Sequence, residues 1–134
     1  MWNRPIFLAF PLLLALAALA GCETPRLSGA TTFEEAVRTY AASKGPKALA
    51  LAADEGGKRA WGAQYGRSTS KERAIRDALA ECDASARRLG VEAQCFLFAI
   101  GNGEPRSTLE KCRAGSIPAK RCEAQRRFAP LLAP

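Results

Sequence analysis

The sequence contains no histidine among its 134 residues and only one methionine. Without histidine, a Ser-His or Cys-His nucleophile and a histidine-ligated zinc site are both excluded. No Cys-x-x-Cys pair is present either, which disfavours a cysteine-only metal site. Two carboxylate pairs, Glu34 with Glu35 and Asp54 with Glu55, fall at a helix start and in a turn, where the helix dipole and solvation explain them. We therefore expect no enzymatic activity, no metal and no cofactor.

The sequence also lacks an apolar run long enough to form an ordinary membrane span. The longest run, residues 6–20, is mostly Leu and Ala and falls short of the roughly 18 to 20 apolar residues that a spanning helix needs. Arg4 is the only charge before Glu23. A short basic start followed by such a run is typical of a signal peptide. The alternatives are cleavage as an ordinary secretory peptide near Ala20 or Gly21, and an uncleaved anchor.

Four residues behind this run, Leu19, Ala20, Gly21 and Cys22, resemble the lipobox of bacterial lipoprotein precursors. In that family a diacylglycerol is attached to the cysteine thiol, the chain is cut before the cysteine, and the new amine is often acylated. The resemblance implies a signal peptide over residues 1–21, lipidation (palmitate) at Cys22, and a tether over residues 22–31. Two or more acyl chains hold a protein stably on a bilayer. Glu23, where an Asp would favour inner-membrane retention, favours the outer membrane, with the domain facing the periplasm.

Once residues 1–21 are removed, roughly 110 residues remain, which is enough for one compact domain. We expect that domain over residues 32–103, followed by a basic, proline-containing tail over residues 104–134. The tail carries seven basic residues against three acidic ones. It could bind anionic lipid headgroups, lipopolysaccharide or an acidic protein through Arg121, Arg126 and Arg127, or it could be a solvated polar end. Nucleic acid is disfavoured by the expected export and by the lack of a stacking platform.

The five cysteines become an even set of four once Cys22 is assigned to lipid. Four cysteines allow two disulfides in three connectivities, and the sequence does not choose among them. We favour Cys82 with Cys95 and Cys112 with Cys122, because each pair closes a short loop. A bridge that closes a loop of about 15 residues stabilises by roughly 3 kcal/mol in the chain-entropy model.

The first half of the expected domain shows one helix and two strands. Thr32 and Glu35 have capping-box spacing, and the apolar residues that follow recur at helical spacing over residues 33–43. Gly45 and Pro46 end this helix. Residues 47–54 form a short apolar run that favours a buried strand, and residues 58–66 alternate after Gly-Gly, which predicts a β-hairpin.

The second half is predicted to contain the longest helix and a third strand. Apolar residues keep a 3.6-residue rhythm over residues 70–89, with Thr69 and Glu72 as a capping box and Gly90 as the stop. Residues 95–100 (CFLFAI) indicate a well-buried strand. Beyond residue 103 we expect irregular chain apart from a helical turn at residues 109–113. The prediction is an α+β domain of order α-β-β-α-β, with an antiparallel hairpin and a third strand packed on one long helix.

Residues 47–103 show a looser similarity, carried by Trp61, Gly62, Tyr65 and Gly66, a helix rich in Ala, and a cysteine pair. The pattern is similar to small secreted bacterial domains of unknown function that contain a Trp-Gly-x-x-Tyr-Gly strand. Trp61 and Tyr65 could form an exposed aromatic platform for a glycan or peptide, or they could be core residues.

Together these features favour a membrane-anchored envelope lipoprotein with a non-catalytic interaction or structural role. Its expected partners are the membrane, reached through the lipid anchor, and another envelope protein. The alternative is a binding module for anionic envelope polymers that acts through the basic tail.

Overall fold

The computed structural model describes residues 32–133, which form an α+β domain with a three-stranded antiparallel sheet and two disulfides. The predicted fold class is confirmed. In chain order the elements are α1 (Phe33–Ala42), β1 (Ala48–Ala53), β2 (Arg59–Gln64), α2 (Lys71–Leu89), β3 (Phe96–Ile100), α3 (Arg106–Arg113), α4 (Ala119–Phe128) and a 3₁₀ helix (Ala129–Leu132). The predictions about residues 1–31, including the signal peptide, Cys22 and the whole tether, lie outside the described residues.

Strand β1 is the centre of the sheet, whose order is β2-β1-β3, and all six of its residues are buried. Its sequence, ALALAA, divides the two faces because alternate side chains of a strand point in opposite directions. Leu49 and Leu51 enter one hydrophobic cluster. Ala48, Ala50 and Ala52 enter the other. One face of the sheet therefore carries bulky leucine side chains at its centre, and the other carries only alanine methyl groups.

Helix α2 packs on the alanine-lined face. It presents Ala74, Ala78, Cys82 and Ala86 to the sheet. The helix approaches β2 so closely that a Cβ on Gly62 would overlap the carbonyl oxygen of Ala78 and the backbone nitrogen of Cys82. Small side chains on both elements permit this distance, which explains why alanine, a poor strand former, dominates β1.

Helix α2 starts and stops at defined residues. The Ser70 hydroxyl accepts a hydrogen bond from the Arg73 N–H (3.2 Å), so the predicted cap at Thr69 is wrong by one residue. Serine at that position satisfies a free N–H of the first turn. Gly90 ends the helix in the left-handed conformation, with φ of 64°, as predicted.

The leucine-lined face is covered by α1, α4 and the 3₁₀ helix. Helix α1 is capped by Thr32, whose hydroxyl accepts from the Glu35 N–H (3.2 Å), as its sequence predicts. The cluster on this face contains ten buried residues: Phe33, Val37, Tyr40, Leu49, Leu51, Phe98, Ala99, Ala124, Phe128 and Leu132. Three of the ten, beginning with Ala124, lie beyond residue 103.

The expectation of an irregular C-terminal segment is therefore wrong. Residues 104–133 contain two helices and a 3₁₀ turn, and they supply core side chains to the same domain as residues 32–103. Helix α4 reads AKRCEAQRRF, and its buried positions include Arg121 and Gln125. Hydrophobic periodicity did not reveal the helix because polar residues occupy part of its inner face.

Lys47, the residue before β1, caps the C-terminus of α1. Its buried ammonium donates to the carbonyl oxygens of Tyr40 (3.0 Å), Ala41 (3.3 Å) and Ser43 (2.6 Å). The last carbonyls of a helix lack the usual i+4 N–H partner, and a cation there also interacts favourably with the helix dipole. The Tyr40 hydroxyl in turn donates to the carbonyl oxygen of Gly101 (2.8 Å). Helix α1 is thereby fixed to both neighbouring strands.

Both favoured disulfides are present. Cys82–Cys95 joins the middle of α2 to the residue before β3, and Cys112–Cys122 joins the end of α3 to α4. The first links the helix to the sheet. The second holds α3, which otherwise contacts mainly β3, against the helix that covers the leucine-lined face.

The close approach of α2 to β2 predicts that Gly62→Ala destabilises the domain by about 3 kcal/mol or more, because backbone atoms cannot yield as a flexible side chain would. Urea unfolding of the variant and the parent chain measures the loss. Gly103→Ala is the matched control, since a Cβ there meets no atom within 4 Å and should change stability by less than about 0.5 kcal/mol. Equal midpoints for the two variants would refute this packing.

Candidate functional site

Trp61 and Tyr65 are half-buried at the edge of the leucine-lined cluster. The Trp61 ring lies 5.8 Å from the Phe33 ring, and the Tyr65 ring lies 6.4 Å from the Tyr40 ring, measured between centroids. Each ring packs on a different part of α1 instead of pairing with the other. Neither of the two interpretations left open by the sequence is observed in full: both rings pack on the core cluster but stay half-exposed, and they do not form one shared platform.

Arg121 is not available for binding, because only 1% of its surface is exposed. Its guanidinium donates to the carbonyl oxygens of Leu51 (3.2 Å) and Leu97 (3.3 Å) and to Oε1 of Gln125 (2.6 Å). The prediction that Arg121 binds an external anion is wrong, because its donors are used inside the domain. Burial lowers the pKa of Arg121 to about 10, so the group is still a cation at neutral pH.

The Arg121 guanidinium and the Gln125 amide lie where the sheet is irregular. The register of β1 on β3 shifts between Leu49 and Ala50, so that Phe98 has no direct partner. The Gln125 amide donates to the Phe98 carbonyl oxygen (3.1 Å), and the Thr108 hydroxyl donates to that of Leu97 (2.8 Å). A bulge leaves backbone groups outside the ladder, and these side chains pair with them. Among the described residues no buried side-chain nitrogen or oxygen is without a partner.

Arg126 and Arg127, the other two predicted binding residues, are exposed. They do not form one site with Arg121, which points into the core from the same helix. The Arg127 guanidinium lies 5.1 Å from the centroid of the Phe128 ring. The guanidinium of Arg59, at the start of β2, lies 5.3 Å from the same centroid. The structure therefore brings a second arginine beside Arg127 that the sequence analysis missed.

Arg59 was missed because it belongs to the hairpin and not to the basic C-terminal segment. One signal was present in the sequence: Arg59 is two residues before Trp61 in a strand, so both side chains lie on the same face of the sheet. That face could be recognised as the one under α4 only after α4 itself was known.

Arg126 lines an open cleft of about 510 Å³ beside the Cys112–Cys122 disulfide. Glu55, Ile117 and Pro118 form other parts of its wall. No group of three metal-ligating side chains occurs within residues 32–133. The cleft brings one cation, one carboxylate and the Ser116 residue near a disulfide.

Comparisons with protein-family models, with curated proteins and with solved structures found no match to this chain. No helix among the described residues has both the length and the apolar character needed to cross a membrane. The arguments about function therefore rest on the sequence and on the geometry of the domain.

The role of Arg121 predicts that Arg121→Met lowers the free energy of unfolding by about 3 kcal/mol, since two backbone carbonyls and the Gln125 amide lose a charged donor. Arg126→Met removes the same charge five residues later on the exposed side and should change stability by no more than about 0.5 kcal/mol. Thermal and urea unfolding measure both variants. If Arg121→Met is as stable as Arg126→Met, the buried hydrogen bonds do not hold α4 on the sheet.

Proposed function

We propose that this protein is a membrane-anchored envelope lipoprotein whose domain has a non-catalytic structural or interaction role. The observation that carries the proposal is the disulfide pattern: the four cysteines of the domain form two pairs, and Cys22 is not needed by either. Structural disulfides form in oxidising compartments, which supports export. A fifth cysteine placed directly after Leu19-Ala20-Gly21 is then free to carry lipid.

The form of the domain supports an interaction role. Both faces of the sheet are covered by helices, so the sheet itself offers no open apolar face to a ligand. The two disulfides and the buried Arg121 network hold the helices in place. A rigid domain on a lipid anchor presents fixed exterior surfaces to its neighbours at the membrane, which suits binding to another envelope protein.

Lipidation is tested by expressing the full chain in a bacterial host and measuring the intact mass of the protein extracted from membranes. We expect residues 1–21 to be absent and residue 22 to carry diacylglycerol, with or without a further acyl chain. Cys22→Ala should lose the modification and leave the membrane fraction, whereas Ser28→Ala, in the tether, should keep both. An unmodified Cys22, or retention of residues 1–21 in the parent chain, would disprove the proposal.

Binding of anionic envelope polymers is the second candidate, favoured by the exposed Arg126 and Arg127 and by Arg59 beside them. Pull-down from outer-membrane material at increasing salt distinguishes the two roles. Polymer binding should collapse between low and moderate salt, because exposed charges are screened over about 10 Å at 0.1 M. A packed protein interface should keep its partner across the same range. Salt-resistant capture of a defined protein would reject the polymer alternative.

A further inference from the structure

Two arginines share one aromatic ring on the leucine-lined side of the sheet. The guanidiniums of Arg59 and Arg127 lie 5.3 Å and 5.1 Å from the centroid of the Phe128 ring, so they are no more than about 10 Å apart. The ring itself is buried, with 4% exposure, whereas Arg127 is exposed and Arg59 is half-buried. The ring therefore helps to hold both cations at the surface in a defined position. We refer to Arg59 and Arg127 as the arginine pair.

The arginine pair is not neutralised by the described part of the domain. The salt bridges within residues 32–133 join Glu34 to Arg38, Arg73 to Asp77, and Lys120 to Glu123. None involves either member of the pair. Two cations held close together repel each other, and an anion placed between them would relieve that repulsion. Within residues 32–133 no carboxylate pairs with either arginine, so the pair has N–H donors available for an external ligand.

The arginine pair lies beside the point where the tether enters the domain. The Phe128 ring meets the Phe33 ring edge-on, with the centroids 5.2 Å apart, and Phe33 is the first residue of α1. The Phe33 ring also contacts the half-buried Trp61 ring. The pair, Trp61 and the start of α1 therefore form one contiguous surface, which we call the entry surface.

The length of the tether limits which surface can face the membrane. From Cys22 to Thr32 the chain spans ten residues, and ten residues reach at most roughly 35 Å. A domain of this size has a radius of gyration of about 13 Å, so a path around it to the opposite side is roughly 50 Å long. The entry surface can meet the bilayer directly. The outer side of α2, across the sheet, cannot be turned toward the bilayer without a longer tether.

We infer that the entry surface is the side that the domain presents to the bilayer, and that the arginine pair binds phosphate groups of anionic phospholipids. This inference rests on the proposed lipidation of Cys22. Guanidinium groups bind phosphate through paired N–H donors, and a half-exposed tryptophan suits the boundary between headgroups and acyl chains. Because the anchor keeps the domain within a few nanometres of the bilayer, even a weak contact is populated. The domain is thereby held in one orientation.

Trp61 gives a direct readout of this orientation, since it is the only tryptophan that remains when residues 1–21 are removed. The protein extracted from membranes of the expressing host is reconstituted in phosphatidylcholine vesicles that contain brominated acyl chains, with and without about 30% phosphatidylglycerol. Bromine quenches tryptophan fluorescence at short range. We expect about twofold more quenching in the anionic vesicles and a return to the neutral value at high salt.

Arg59→Gln with Arg127→Gln should reduce quenching in anionic vesicles to the level of neutral ones. The matched control is Arg87→Gln with Arg88→Gln, which removes the same charge from the exposed end of α2 on the other side of the sheet and should leave quenching unchanged. Thermal unfolding of each variant verifies that the domain remains folded, and Arg127→Gln alone, at an exposed position, should give an intermediate loss in a fully folded chain.

The outcomes separate the two proposals. Protein that fails to stay with neutral vesicles has no anchor, which overturns lipidation and this inference together. Protein that stays anchored but shows the same quenching with and without phosphatidylglycerol, or loses it equally in both arginine double variants, overturns the inference alone. Binding of inorganic phosphate by the parent chain but not by the Arg59→Gln, Arg127→Gln variant, together with equal quenching in neutral and anionic vesicles, would identify a site for soluble phosphate and reject the membrane assignment.

Discussion

The burial of β1 on both faces is the constraint on which the rest of the domain depends. A strand that reads ALALAA has no polar side chain to present to water, so each face must be covered by another element. The alanine face accepts a helix at very short distance, and the leucine face needs bulkier partners from several elements. The disulfides, the buried Lys47 and the Arg121 network all fix these covering helices in place. Removing either cover would expose the apolar side chains of β1 at the centre of the molecule.

The sequence was most informative where burial and periodicity agree. Helix α2 and β3 follow from apolar spacing, and the hairpin follows from Gly56-Gly57 between two short runs. Local cysteine spacing also favoured the pairing that the domain adopts. These features depend on residues near one another in the chain, where simple patterns are dependable.

The sequence was least informative at α4, where tertiary structure gives polar residues an inside position. Gln125 is buried where the irregular pairing of β1 with β3 leaves the Phe98 carbonyl without a strand partner, and Arg121 is buried beside it on the carbonyls of Leu51 and Leu97. These carbonyl oxygens lie 24 to 70 residues away from the side chains that donate to them, and no local pattern contains that information. The same limit applies to Arg59 and Arg127, which meet only through Phe128. Both basic positions are visible in the sequence, but their proximity is a property of the fold.

The late position of α4 in the chain has a consequence for how the domain is made. The leucine face of β1 is closed by residues 119–132, so the core cannot be completed until the chain as far as residue 132 is available. For a chain that we propose is exported, this order is favourable. A polypeptide whose core needs residues 119–132 stays open until those residues have joined the sheet. In the export that we propose, such a chain would complete its core, and bring Cys122 to Cys112, only after residues 119–132 had crossed the membrane.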